Sequence, residues 1–251
     1  MQKMILTAAE RLIVAADFKP EPGQFRIEDW VRCQVIALAV KLKGTGVCLK
    51  VNSALRICGY DLIRQINNCG LDVFADLKFK DISETLTIDG MFLGPYQPKF
   101  VTVCCDAGLN AMRAFKAAIP SGVEVLGVTA LTTFDDDESY AIYGCPVEEA
   151  VDRLAKRAIE AGLDGFIASG KEAPSLRAVI GNVMTINTPA IRPLFAKVVG
   201  DDQNKKRSMT PAEAIEAGAD RIIVGRPITQ ANNPLEAAWD TISEIATTTA
   251  T

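Results

Sequence analysis

Short runs rich in β-branched residues alternate eight times with longer amphipathic ones along the 251-residue chain, with no linker, short-period repeat or shift of composition between them. Charged side chains recur where several of these short runs end. Together these features predict one α/β domain over residues 1–251, a single (β/α)8 barrel whose functional groups lie at the C-terminal ends of its strands. A doubly wound open sheet is the other architecture that the same alternation allows.

The first strand is expected over Arg11 to Ala16 and ends on Asp17. A loop rich in Pro and Gly, Lys19 to Gly23, leads to a helix from Ile27 to Lys43. Val47 to Val51 is the second strand and carries Lys50, with a helix from Leu55 to Asn68 behind it. The third strand begins at Val73. A helix follows from Ser83 to Leu93, with Ser83 as its cap and Gly94-Pro95 as its stop. Phe100 to Cys104 and Val123 to Val128 are apolar runs of parallel-sheet character, separated by a helix from Leu109 to Ala117. Thr129 to Gly144 reads as a polar loop in which Asp135, Asp136 and Asp137 form a solvated turn rather than a metal site. The alternation continues through Val147 to Ala161, Gly165 to Ala168, Ser175 to Ile180, Val183 to Ile186, Pro211 to Ala217 and Arg221 to Val224. A closing helix runs from Pro234 to Ala246, and the threonine-rich end, Thr247 to Thr251, is expected to fray.

Composition narrows the function. Hydrophobic residues make up 49% and charged residues 23%, the balance of a soluble protein with a large core. A net charge of -4 gives no general attraction to nucleic acid or to an anionic membrane, so binding of a phosphate must come from a local cluster. The seven cysteines include no Cys-x-x-Cys and fall mostly in apolar runs, which suggests buried thiols in a reducing cytoplasm. The first residues lack the long apolar core of a signal peptide, and no apolar stretch approaches the ~18 residues of a membrane span. Histidine is absent, which leaves Lys, Asp and Glu for proton transfer at neutral pH.

The most informative stretch is Val73 to Thr85. Strand side chains alternate with period two, so Phe74, Asp76 and Lys78 share one face while Val73, Ala75 and Leu77 take the other. Asp81 follows beyond the strand end. Charges on an apolar strand cost several kcal/mol unless paired, so a carboxylate beside an ammonium implies a network. Asp17, Lys50, Asp76 and Lys78 all fall at strand ends, a recurrence that packing does not require. The eighth strand runs into Gly225-Arg226-Pro227, where glycine allows close backbone approach to an anion and arginine adds a bidentate donor. The polar loop from Asn187 to Met209 is long enough to act as a lid.

These residues in this order resemble the orotidine 5′-phosphate decarboxylase family, whose members make uridine monophosphate in pyrimidine biosynthesis. The likeness spans nearly the whole chain. It rests on Asp76-x-Lys78-x-x-Asp81-Ile82-x-x-Thr85, Asp17, Lys50, Leu131-Thr132, Thr188-Pro189-x-Ile191-Arg192-Pro193, Gln203, Met209-Thr210-Pro211 and Gly225-Arg226-Pro227. The chain departs from the family pattern at Ser83-Glu84, where Pro-Asn is usual, at Ala190, where Gly is usual, and at Thr133, often a serine.

The resemblance implies a catalytic network of Lys50, Asp76, Lys78 and Asp81 that needs neither metal nor cofactor, with Lys78 as proton donor. It implies a homodimer with shared active sites, in which Asp81, Ile82 and Thr85 reach the neighbouring subunit's site. Asp17 and Lys50 are implied at the ribose hydroxyls and Thr132 or Thr133 at the pyrimidine edge. Gln203, Gly225 and Arg226 are implied at the phosphate, with Arg192 nearby in the loop, and Pro189 is implied among the substrate-binding residues. The substrate is a small nucleotide, and neither a nucleic acid polymer nor a membrane is a partner. Two other readings share parts of the pattern. A sugar-phosphate decarboxylase or aldolase of the same barrel family uses the Asp-x-Lys-x-x-Asp strand with magnesium but without the Ile82-x-x-Thr85 continuation. A nucleotide-binding paralogue would hold uridine monophosphate without turning over its precursor.

Overall fold

The computed structural model describes residues 6–196 and 209–248. Among these residues eight parallel strands close into a (β/α)8 TIM barrel in chain order, with β8 returning to β1. The strands are β1 (Leu12–Ala15), β2 (Cys48–Val51), β3 (Asp72–Phe79), β4 (Phe100–Cys104), β5 (Glu124–Val128), β6 (Gly165–Ile167), β7 (Thr185–Thr188) and β8 (Arg221–Val224). The helices outside them are α1 (Ile27–Lys41), α2 (Ser53–Cys58), α3 (Asp61–Asn68), α4 (Ser83–Leu93), α5 (Leu109–Ala118), α6 (Asp136–Tyr143), α7 (Val147–Ala161), α8 (Ala173–Ile180), α9 (Pro211–Glu216), α10 (Arg226–Thr229) and α11 (Pro234–Thr248).

Alternation along the strands divides the interior in two. Outward residues such as Leu12, Val14, Leu49, Val73 and Val101 pack against the helices in a large outer core. Inward residues Ile13, Ala15, Cys48, Phe74, Phe100, Leu126 and Ile223 fill the barrel itself. Phe74 meets Phe100 edge-on, with ring centroids 5.9 Å apart. Below them lies Arg221, only 1% exposed, whose guanidinium stacks 4.4 Å over the Phe100 ring. It donates to Glu124 at 3.0 and 2.9 Å and to Asn187 Oδ1 at 3.3 Å. This closes the N-terminal end of the barrel and leaves the opposite end open.

Local chemistry accounts for several element ends. Thr210 caps α9 through a reciprocal box with Glu213, and Pro211 occupies the first helical turn. Gly162, at φ 76°, ends α7 in the left-handed region. Gly127 is demanded by packing, because a Cβ there would sit 2.6 Å from Cys105 Sγ and 3.2 Å from Ala158 Cβ on α7.

The structure corrects four local expectations. The helix expected from Leu55 to Asn68 is two, α2 and α3, broken at Gly59, whose φ is 74°. Asp135 to Asp137 do not form a turn: Asp135 caps α6 through a box with Glu138, and its acidic first turn suits the helix dipole. Ser83 is the first residue of α4 and not its cap, a position taken by Ile82. The seventh strand lies two residues later than Val183 to Ile186, at Thr185–Thr188, where Asn187 pairs with Arg221 on β8.

Candidate active site

At the open end of the barrel, β1, β2 and β3 bring charges of alternating sign into one chain. Asp17, just beyond β1, accepts a hydrogen bond from Lys50 Nζ on β2 at 2.9 Å. Lys50 Nζ also lies 3.3 Å from Asp76 Oδ2 on β3, and the same oxygen accepts from Lys78 Nζ at 2.7 Å. The Lys50 and Asp76 side chains are each 8% exposed, against 31% for Lys78 and 54% for Asp17. Burial pushes the Asp76 carboxyl up, but the Lys50 and Lys78 ammonium groups and hydrogen bonds from Lys78 and Thr102 more than reverse this and hold it below the ordinary value. Asp76 is therefore ionised at neutral pH. A buried ion pair is weak evidence for stability, and its place at the mouth of a cavity makes a functional role the better account.

The expected face of β3 is observed, but its backbone is not regular. From Ala75 to Phe79 the strand advances four residues while its partners on β4 advance only from Val101 to Val103. Lys78 lies inside this irregularity with φ 53°, a conformation that costs a lysine free energy and is held by its surroundings. The Lys78 N–H donates to Thr102 Oγ1 at 2.8 Å, and the Thr102 hydroxyl donates to Asp76 Oδ1 at 3.1 Å.

The charge chain forms one wall of a cavity of about 410 Å³. Ala15, Phe74 and Ile223 are its floor, and Leu131, Thr132 and Ile167 stand across from the lysines. Pro189, Ala190, Arg192, Gly225 and Arg226 line the side toward β7 and β8. Arg192 is 5% exposed and donates to the Ile191 carbonyl at 3.2 Å. Ala190 holds φ 63° where a glycine would be unstrained. A Cβ on Gly225 would meet only Ala15, at 3.6 Å or more, so the protein's own packing does not demand glycine there.

Of the residues expected at the site, Asp17, Lys50, Asp76, Lys78, Thr132, Pro189, Arg192, Gly225 and Arg226 line this cavity. Thr133 is exposed and does not line it. Asp81, Ile82 and Thr85 also stand outside it. The Asp81 carboxylate accepts from the Ile82 N–H at 2.7 Å, and Ile82 is 70% exposed. Gln203 and most of the expected lid, residues 197–208, lie outside the described residues. Sequence reasoning missed Thr102, although a lone polar residue in the apolar run Phe100–Cys104 was an available signal. Among the described residues no group of three or more Cys, Asp or Glu is placed to hold a metal ion.

The chain is similar to known proteins over most of its length. Residues 10–240 match the profile of the orotidine 5'-phosphate decarboxylase / HUMPS family. An orotidine 5'-phosphate decarboxylase of Rhodopseudomonas palustris (strain BisB5) is 40% identical, over 76% of this chain and 80% of its own. One from Syntrophotalea carbinolica is 36% identical, over 97% and 98%. In structure, orotidine 5'-phosphate decarboxylase from Lactobacillus acidophilus aligns with a TM-score of 0.73 at 28% identity, over 94% of this chain and 99% of that one.

Proposed function

The chain belongs to the orotidine 5'-phosphate decarboxylase / HUMPS family, and from that membership we propose how its strand-end charges carry the reaction. The activity is decarboxylation of orotidine 5'-monophosphate to uridine 5'-monophosphate and CO2, a step of pyrimidine biosynthesis. The observation that carries the mechanism is the Asp17–Lys50–Asp76–Lys78 chain along one cavity wall.

When the carboxylate leaves as CO2, the electron pair of the broken bond stays on the pyrimidine C6 carbon. The Lys78 ammonium stabilises that charge and gives C6 its proton, and solvent then reprotonates the lysine. Its pairing with Asp76 keeps it aimed before substrate arrives. Lys50 lies 3.3 Å from the same Asp76 oxygen, and with Asp17 it takes the ribose hydroxyls. Ionised Asp76 beside the substrate carboxylate raises the energy of the bound substrate relative to the state in which CO2 has left. Thr132, the threonine that lines the cavity, takes the pyrimidine edge. Arg226, Gly225 and Arg192 take the phosphate, whose binding energy is spent on ordering the site.

We read the protein as one domain and as a homodimer that shares its sites. In this reading Asp81, Ile82 and Thr85 serve a second copy. Ile82 and the exposed α4 side chains Ile88, Met91 and Phe92, which are 40–70% exposed, support it, since they leave apolar surface on the segment that follows Asp81. A cytoplasmic location accords with seven free cysteines and with the absence, among the described residues, of any helix long and apolar enough to cross a membrane.

An ultraviolet assay of orotidine monophosphate loss, with and without a chelator, tests the proposal. Chelator-resistant turnover is expected. Turnover that stops with chelator would instead favour a magnesium-dependent relative.

A further inference from the structure

We propose that Thr102 is a positioning residue for the reaction, its hydroxyl tying the Asp76 carboxylate and the Lys78 backbone into one rigid unit. The inference rests on the catalytic reading of Asp76 and Lys78 given above. Thr102 is fully buried, and it is the one β4 residue between the partners Val101 and Val103, opposite the stretch where β3 runs two residues ahead. A regular ladder would offer the Lys78 N–H a backbone carbonyl. Here the register shift withdraws that partner, and the Thr102 hydroxyl oxygen accepts the N–H at 2.8 Å. The same hydroxyl has a single proton, and it points that proton to Asp76 Oδ1 at 3.1 Å.

One side chain therefore holds both the strained φ of 53° that aims Lys78 and the carboxylate that Lys78 meets. Packing alone does not ask for a hydroxyl, because Phe100 and Cys104 share this inward face and a valine has the same shape. Thr102 is placed to act through Asp76 and Lys78, and it does not line the cavity. Its loss should therefore show in the chemical step and not in substrate binding. A displacement of the order of 1 Å in a reacting group costs about 100-fold in rate, which sets the scale of the expected effect.

The charged and titratable groups around Asp76 are Lys50 from β2 with Asp17 behind it, Lys78 from β3, and Cys104 from β4, whose thiol burial pushes up to about 11. The cysteine is uncharged at neutral pH. Removing the Thr102 hydroxyl takes a hydrogen bond from the charged form of Asp76 and leaves those charges in place, so the carboxyl should titrate at higher pH than in the native protein.

The test compares Thr102→Val and Thr102→Ser with the native protein. In Thr102→Val, kcat should fall about 10- to 100-fold with KM within about twofold. Thr102→Ser should keep kcat within about threefold of native, because serine retains the hydroxyl. Carboxyl carbon resonances should show Asp76 titrating at higher pH in the valine variant and unchanged in the serine variant. Native kcat in Thr102→Val, equal losses in the two variants, or an unmoved Asp76 titration would each overturn the role. If the valine variant does not fold, Thr102→Ala undergoes the same measurements. Should the native protein not turn over orotidine monophosphate, the functional reading fails, while the Asp76 titration still decides whether Thr102 holds that carboxylate.

Discussion

Lys78 Nζ lies 2.7 Å from Asp76 Oδ2 although the lysine's own backbone is left-handed, at φ 53°. The ion pair thus joins two residues of a distorted segment, and the distortion, with its cost of order 1 to 3 kcal/mol, is maintained at the point where an ammonium meets the cavity.

Replacement of Lys78 should therefore abolish chemistry and spare binding. Lys78→Ala is expected to fold, to bind uridine monophosphate, and to lose turnover, because the proton donor is removed and the phosphate contacts remain. Retention of a tenth of the native rate, a loss of only about 1.4 kcal/mol in barrier terms, would exclude Lys78 as donor.

Asp76 gives a pH signature. Its carboxyl is held below the ordinary value near 3.8, so its contribution to stability is fully present above that pH and is lost as pH falls through the folded-state pKa. Asp76→Asn leaves two lysines without their shared anion and should destabilise the protein by roughly 3 to 5 kcal/mol at pH 7. Urea unfolding of both proteins should show a gap that is constant above about pH 5 and narrows only in more acid solution. A gap that closes between pH 7 and 5 would mean that Asp76 is raised instead.

Arg226 is expected to act through the phosphate. Arg226→Ala should raise KM strongly for orotidine monophosphate, while a substrate lacking the phosphate should be nearly indifferent to the change. Equal losses on the two substrates would place Arg226 elsewhere in the mechanism.

The shared site is tested by mixing variants. If Asp81 serves its neighbour while Lys78 serves its own cavity, Lys78→Ala and Asp81→Ala chains should each be inactive but should complement after subunit exchange. The hybrid has one intact site, built on the Asp81→Ala chain. Random reassociation of equal amounts makes about half the dimers hybrid, so recovery should approach roughly a quarter of native activity. Verified hybrids with no activity above their parents would confine Asp81 to its own chain.

Much of this was legible along the chain because it depends on short periods and on residue type. Period-two alternation placed Phe74, Asp76 and Lys78 on one face, and the barrel bears this out. Phe100–Cys104, Val147–Ala161 and Arg221–Val224 were read to the residue for the same reason. Polar composition misled over Asp135 to Asp137, where the spacing of Asp135 and Glu138 was the better guide and makes a capped helix. The choice between Thr132 and Thr133 could not be read from sequence, since neighbouring loop residues carry no fixed facing.

The sequence by itself determined the alternation of elements and the presence of opposite charges at strand ends, because backbone periodicity and the cost of a buried charge are local and general. Only the tertiary structure decided how those charges are answered. Thr102 meets Lys78 across 24 positions and Arg221 meets Glu124 across 97. Such partners are set by the register in which β3 meets β4 and by the closure of β8 onto β1, and register follows from the packing of the whole ring rather than from either strand alone.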